Sequence, residues 1–200
     1  MHTYLALGDS YTIGEQVPMS ENFPNQTVGL LKKAQIDVAE PVIIATTGWT
    51  TDELAVSIRE HNLKETFSVV SLLIGVNNQY RGRDLENYKQ EFTELLNSAI
   101  GFANGTAQHV FVLSIPDWGA TPFAEGKDRA KIAREIDEYN AANKQITEAH
   151  KCQYVDITDS TRKNASVANY LAPDGLHPSS KEYGIWAERL ADFIAKELLK

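Results

Sequence analysis

Five residues scattered along the chain are of the types that an acyl-transfer site would use. They are Ser10 in "LALGDSYT", Gly48 in "TTGWTTDE", Asn77 in "GVNNQYRGR", and Asp174 and His177 in "DGLHPSS". A serine hydroxyl is a weak nucleophile at neutral pH and needs a neighbouring base. An imidazole titrates near neutrality and can be that base, which makes His177 the candidate. Asp174, three residues earlier, can hold the ring in one tautomer and stabilise its cation. Attack on an acyl carbon creates an oxyanion, and the backbone N–H groups of Ser10 and Gly48 with the Asn77 amide would supply three fixed donors. Each piece also has an ordinary reading. Gly-Asp-Ser is common turn chemistry and Ser10 fits a helix N-cap. Asp174-Gly175 reads equally as a turn, Gly48 as a strand end, and Asn77 as a polar turn residue. Their order, with Ser10, Gly48 and Asn77 each just after an apolar run and the Asp174–His177 pair on the last irregular stretch, favours the catalytic reading.

The apolar runs that would place these residues are short and rich in β-branched side chains. They are "YLAL" at 4–7, "PVIIA" at 41–45, "FSVVSLLI" at 67–74, "HVFVLSI" at 109–115 and "QYVDI" at 153–157. Helical patterns fill the intervals at 22–35, 51–62, 84–103, 128–150 and 180–199. Ile132, Ile136, Tyr139 and Ile146 share one face of the fourth helix. Trp186, Leu190, Phe193, Ile194 and Leu198 share one face of the last, and both stripes read as sheet-packing surfaces. Alternation of this kind predicts an α/β fold: a mostly parallel sheet of about five strands, covered on both faces. Catalytic groups at strand ends then meet along the carboxyl edge. No repeat, linker or low-complexity segment divides the chain, so residues 1–200 read as one domain. Two long irregular stretches remain, at 116–127 and 158–179, and such stretches are commonly functional.

Composition narrows the function classes. The 200 residues are 42% hydrophobic and carry a net charge of -8, from 19 basic against 27 acidic side chains. That balance argues against nucleic acid or anionic membrane as the main partner, because phosphate binding needs clustered Lys and Arg. Cys152 is the only cysteine, so no internal disulfide forms, and it reads as a small core residue beside Tyr154. No apolar run is long enough to span a membrane. The first residues lack the features of a signal peptide, so a cytoplasmic location is expected, or a secreted one if a leader has been trimmed. His2, His61, His109, His150 and His177 lack metal-ligand spacing, and no metal or cofactor is expected. A serine-elbow hydrolase would need glycine where Thr12 stands, and the P-loop and Gly-x-Gly-x-x-Gly patterns are absent.

The ordered set of Ser10 in "GDS", Gly48 in "TTGWT", Asn77 in "GVNN" and His177 in "DGLH" resembles the GDSL or SGNH hydrolase family. The resemblance spans positions 8 to 177. It implies a flavodoxin-like three-layer α/β/α fold and hydrolysis of carboxylic esters without a metal. It also implies Ser10, Asp174 and His177 as the triad, with Ser10, Gly48 and Asn77 as the oxyanion hole. Two positions depart from the family pattern. Tyr11 stands where the name-giving leucine usually sits, and Asn78 replaces the aspartate that commonly follows the oxyanion asparagine. Neither change removes a catalytic group.

Tyr11, Trp49, Asn78, Tyr80 and Trp118 are candidate substrate-binding residues near strand ends. The aromatic ones could line an acyl pocket or stack on a sugar, and Trp49 and Trp118 serve equally well as covers for the sheet edge. Arg81 and Arg83 read as solvated surface residues before anion ligands. The expected substrate is a small-molecule ester with a short acyl group, such as an acetylated carbohydrate. A lysophospholipase or thioesterase of the same family, and a non-catalytic sugar- or lipid-binding module on the same fold, are the alternatives.

Overall fold

The computed structural model describes residues 1–200. Strand β1 (Tyr4–Gly8) is followed by the one-turn helix α1 (Ser10–Ile13), then α2 (Phe23–Lys33), β2 (Val42–Ala45) and α3 (Thr51–His61). Next come β3 (Val69–Leu73), the short α4 (Val76–Tyr80), α5 (Leu85–Phe102), β4 (Val110–Leu113) and α6 (Arg129–Ala149). β5 (Gln153–Val155), α7 (Thr158–Asn164) and α8 (Ser180–Leu198) complete the chain. Every strand pairing is parallel, in the order β2-β1-β3-β4-β5. Helices α2 and α8 pack together on one face, while α3 packs on α5 and α5 on α6 across the other.

The sequence dictates this arrangement locally. Every residue of β1 and β3 is buried, because both strands are central and covered on both faces, so their apolar runs are continuous instead of alternating. The core gathers Ile132, Ile136 and Tyr139 from α6 with Trp186, Leu190 and Ile194 from α8. Cys152 is buried, and burial pushes its thiol up to about 12. No helix is long and apolar enough to cross a membrane.

The five strands and five long helices end within two residues of the runs read from the sequence. The two irregular stretches differ from expectation. Segment 158–179 opens with helix α7, and 116–127 contains two 3₁₀ turns, Trp118–Ala120 and Pro122–Ala124. Asp117 begins the first turn by accepting from the Gly119 N–H at 2.9 Å. These short turns are built from caps and contacts that hydrophobic periodicity does not report.

At the carboxyl edge the chain passes β1 on both sides. It leaves β1 toward β2 and then crosses back to β3, opening the crevice of a topological switch point between β1 and β3. Gly75, just after β3, holds a φ of 131°, and a Cβ there would lie 2.7 Å from the Tyr88 ring and 2.8 Å from Ile115. Only glycine lets the chain turn from β3 into α4 under that roof. Gly75→Ala is therefore expected to cost roughly 2 kcal/mol or more in folding stability, from backbone strain and overpacking together. Urea unfolding measures it, and an unchanged midpoint would show that the turn tolerates a side chain.

Candidate active site

Ser10 is the first residue of α1, immediately beyond β1. The helix cap is Asp9, whose Oδ1 accepts the Tyr11 N–H at 3.0 Å, and the sharp turn presents the Ser10 hydroxyl to the crevice. His177 comes from the loop before α8. That loop is closed by the Ala172 N–H donating to the His177 carbonyl at 2.8 Å and the Ser179 N–H to the Tyr170 carbonyl at 3.0 Å.

The imidazole lies between serine and aspartate. Asp174 Oδ2 accepts from His177 Nδ1 at 2.6 Å, and His177 Nε2 sits 3.0 Å from Ser10 Oγ. Asp174 Oδ1 also accepts the Leu176 and His177 backbone N–H groups, at 2.9 and 3.0 Å. Partial burial works to raise the Asp174 pKa, but the imidazole N–H and these two amides outweigh it and hold the carboxyl below its ordinary value. An ionised Asp174 accepts from Nδ1, which leaves the Nε2 lone pair free to take the Ser10 proton.

The three expected oxyanion donors converge on the same crevice. Neither the Ser10 nor the Gly48 N–H donates to a backbone carbonyl. Gly48 has a φ of 86°, in the left-handed region that glycine adopts without strain. Asn77 Nδ2 donates to the Trp49 carbonyl at 2.9 Å, and 3.5 Å separates it from Asp9 Oδ2. The second contact is at the limit of a hydrogen bond, so one amide hydrogen is held and the other is available to an incoming oxyanion.

Ser10 and His177 open onto a cavity of about 180 Å3, lined also by Tyr11, Gly48, Asn77 and Tyr80, with Trp118 and Phe123 forming a wall. The Trp118 ring meets Tyr80 edge-on at 5.1 Å between centroids and Phe123 at 6.1 Å. Trp118 is buried and fixed by its Nε1 donating to Gln79 at 2.7 Å, whereas Tyr80 and Phe123 are 52% and 44% exposed. Sequence does not single out Phe123; its segment, "PDWGATPFAEGK", signals only by length. A larger, polar groove of about 690 Å3 follows the β5 edge between α6 and α8 and shares no residue with this cavity.

Two candidate substrate contacts lie elsewhere. Trp49 is half-buried against the core and does not line the cavity. Asn78 is turned away and 1% exposed, bonded to Thr51 at the start of α3. The side chains of the one-turn helix α4 point in different directions, so Asn77 faces the crevice and Asn78 does not. Arg81 donates to the Gly48 carbonyl at 2.6 Å and Arg83 pairs with Asp52 at 2.5 Å, so both brace the 46–53 segment. Thr50 caps α3 in a capping box with Glu53.

A parallel five-stranded α/β sandwich with serine, glycine, asparagine and histidine at its switch point is the architecture of the GDSL/SGNH hydrolases. The chain belongs to the GDSL-like lipase/acylhydrolase family, whose pattern matches residues 6–185, and is a carboxylic ester hydrolase of that type. Solved structures share the fold. One is TesA, 18% identical over 97% of this chain and 98% of that one, with a TM-score of 0.75. Another is Axe2, an acetylxylan esterase from Geobacillus stearothermophilus, 21% identical over 96% and 94%, with a TM-score of 0.75. A third is the psychrotrophic esterase EstA from Pseudoalteromonas sp., 17% identical over 100% of both chains, with a TM-score of 0.72. No curated protein sequence matches the chain.

Asp9 gives this site a pH signature. Burial raises its carboxyl from an ordinary 3.8 to about 7, against the lowering effect of the Tyr11 N–H. The folded protein thus holds a proton that the unfolded chain releases. The resulting stability is full below the ordinary value and is lost as pH rises through the folded one. Asp9→Asn removes this dependence. The Tm difference between variant and wild type should therefore move in favour of the variant from about pH 5 to about pH 7.5. A difference constant with pH would mean that Asp9 titrates as a solvated acid.

Proposed function

We propose that this protein hydrolyses short-acyl esters through an acyl-enzyme on Ser10, with His177 as general base and then acid, and Asp174 as its orienter. The observation that carries the reading is the continuous chain from Asp174 through His177 to Ser10, at 2.6 and 3.0 Å, beside a small cavity. Ser10 Oγ attacks the acyl carbon as its proton passes to His177 Nε2. The developing oxyanion takes hydrogen bonds from the Ser10 and Gly48 N–H groups and Asn77 Nδ2. His177 then protonates the departing alcohol, and a water activated by the same nitrogen releases the acid.

Size and wall chemistry bear on the substrate. A cavity of about 180 Å3 is smaller than the ~300–1,000 Å3 of pockets that enclose drug-sized ligands, which suits acetyl to butyryl groups. Tyr80 and Phe123 beside it offer faces on which a sugar ring of the alcohol half can stack. Acetylated carbohydrate is the favoured class, in keeping with the fold likeness to an acetylxylan esterase.

Two measurements test this. Ser10→Ala should fold normally and lose kcat by about 10³-fold or more, along with labelling by a fluorophosphonate. Substantial ester hydrolysis by that pure variant would remove Ser10 from the reaction. Across p-nitrophenyl esters below their micelle-forming concentrations, kcat/KM should peak between acetyl and butyryl, since each buried methylene is worth about 0.8 kcal/mol only while there is room for it. A steady rise through dodecanoyl would replace the short-acyl reading with a lipase- or thioesterase-like one. Acetate release from acetylated sugars, compared with turnover of lysophospholipid and acyl-thioester, decides the natural class.

A further inference from the structure

Asn78 follows Asn77 on α4, and its surroundings explain the amide. Its Oδ1 accepts the Thr51 N–H at 3.1 Å, an otherwise orphan donor in the first turn of α3. Its Nδ2 donates to Thr51 Oγ1 at 2.7 Å. The Thr51 hydroxyl in turn donates to Glu91 Oε2 on α5, whose Oε1 accepts from Asn87 at 3.0 Å. Both Asn78 and Thr51 are fully buried.

A hydroxyl has one proton and lone pairs to receive others. With that proton given to Glu91, Thr51 Oγ1 can only accept from residue 78, and only an amide can donate there. An aspartate would set a second carboxylate against the same hydroxyl, competing with Glu91 for one proton in a buried place.

The network reaches the oxyanion hole through sequence adjacency. Asn77 grips the Trp49 carbonyl while Asn78 grips Thr51, so consecutive residues of α4 hold the backbone on either side of Thr50. Gly48 directly precedes that gripped segment. We propose that Asn78 is a positioning residue that sets the spacing of the Gly48 and Asn77 oxyanion donors through Thr51, and that Glu91 dictates an amide at position 78. The proposal rests on the reading of Gly48 and Asn77 as donors to the oxyanion.

The test is a cycle of N78D, E91Q and N78D/E91Q, read as kcat and KM on p-nitrophenyl acetate well below each Tm, and as Tm itself. N78D should lower kcat by about 10-fold or more with KM within about 3-fold, because misplaced donors weaken the transition state more than ester binding. The double variant should recover most of the lost kcat and Tm. In it, the amide introduced at position 91 can donate to Thr51 while the Thr51 hydroxyl donates to the carboxylate introduced at position 78. A double variant no better than N78D would overturn the proposal. So would an N78D protein of lowered Tm and undiminished kcat, because the network would then be structural only. Should the wild type lack esterase activity, the functional reading fails on its own. The Tm cycle then still decides whether Glu91 dictates the residue at 78, and additive Tm losses would show that it does not.

Discussion

The 3.0 Å contact between Ser10 Oγ and His177 Nε2 joins groups 167 residues apart, and much of the fold bears on it. Ser10 is placed by the end of β1 and by the turn that Asp9 caps. His177 lies on a loop with no strand of its own, and is held by what that loop touches. The Gly175 carbonyl accepts the Phe123 N–H at 3.1 Å, tying the His177 loop to the segment that carries the aromatic wall. Gln26 on α2 donates to the Ser180 carbonyl at 2.9 Å, tying the start of α8 to the helix that follows the nucleophile turn. Packing of α2 on α8 thus bears on the distance between Ser10 and His177.

Two carboxyls flank this contact, and their environments drive them apart. Asp174 keeps some solvent and accepts three N–H bonds, which stabilise its anion. Asp9 is sealed beneath Ser10, where burial favours its neutral form. Separation of this kind assigns roles by location. In the proposed acyl transfer, an anion at 174 stabilises the imidazolium that forms on His177. In the proposed reaction, the neutral form of Asp9 that burial favours keeps negative charge from behind Asn77, whose amide lies 3.5 Å from the Asp9 carboxyl.

Strands and long helices were legible because burial imposes a period on the side chains, and these elements are long enough to show it. The convergence of Ser10, Gly48 and Asn77 was legible for a different reason: in a parallel sheet every strand ends on the same edge, so order along the chain becomes proximity in space. Side-chain direction was not. Asn77 and Asn78 are the same residue type on one helical turn, and only the partners waiting at Thr51 and Trp49 separate an outward amide from a buried one. Phe123 and helix α7 escaped because short segments shaped by capping and by neighbours have no period to read.

Tyr11 shows how one replacement can serve both halves of the site. Its backbone N–H holds Asp9 and with it the turn that presents Ser10. Its ring centroid lies 5.2 Å from the His177 imidazole and 6.1 Å from Trp186, which itself packs against Phe23 and Tyr183. A leucine would fill part of this volume, but a planar ring continues the aromatic cluster of α2 and α8 up to the base. The Ser10 turn and the imidazole therefore share one support, and a displacement of α8 would carry to Ser10 as well as to His177. That coupling keeps the pair in register, because well-packed interiors transmit shifts instead of absorbing them.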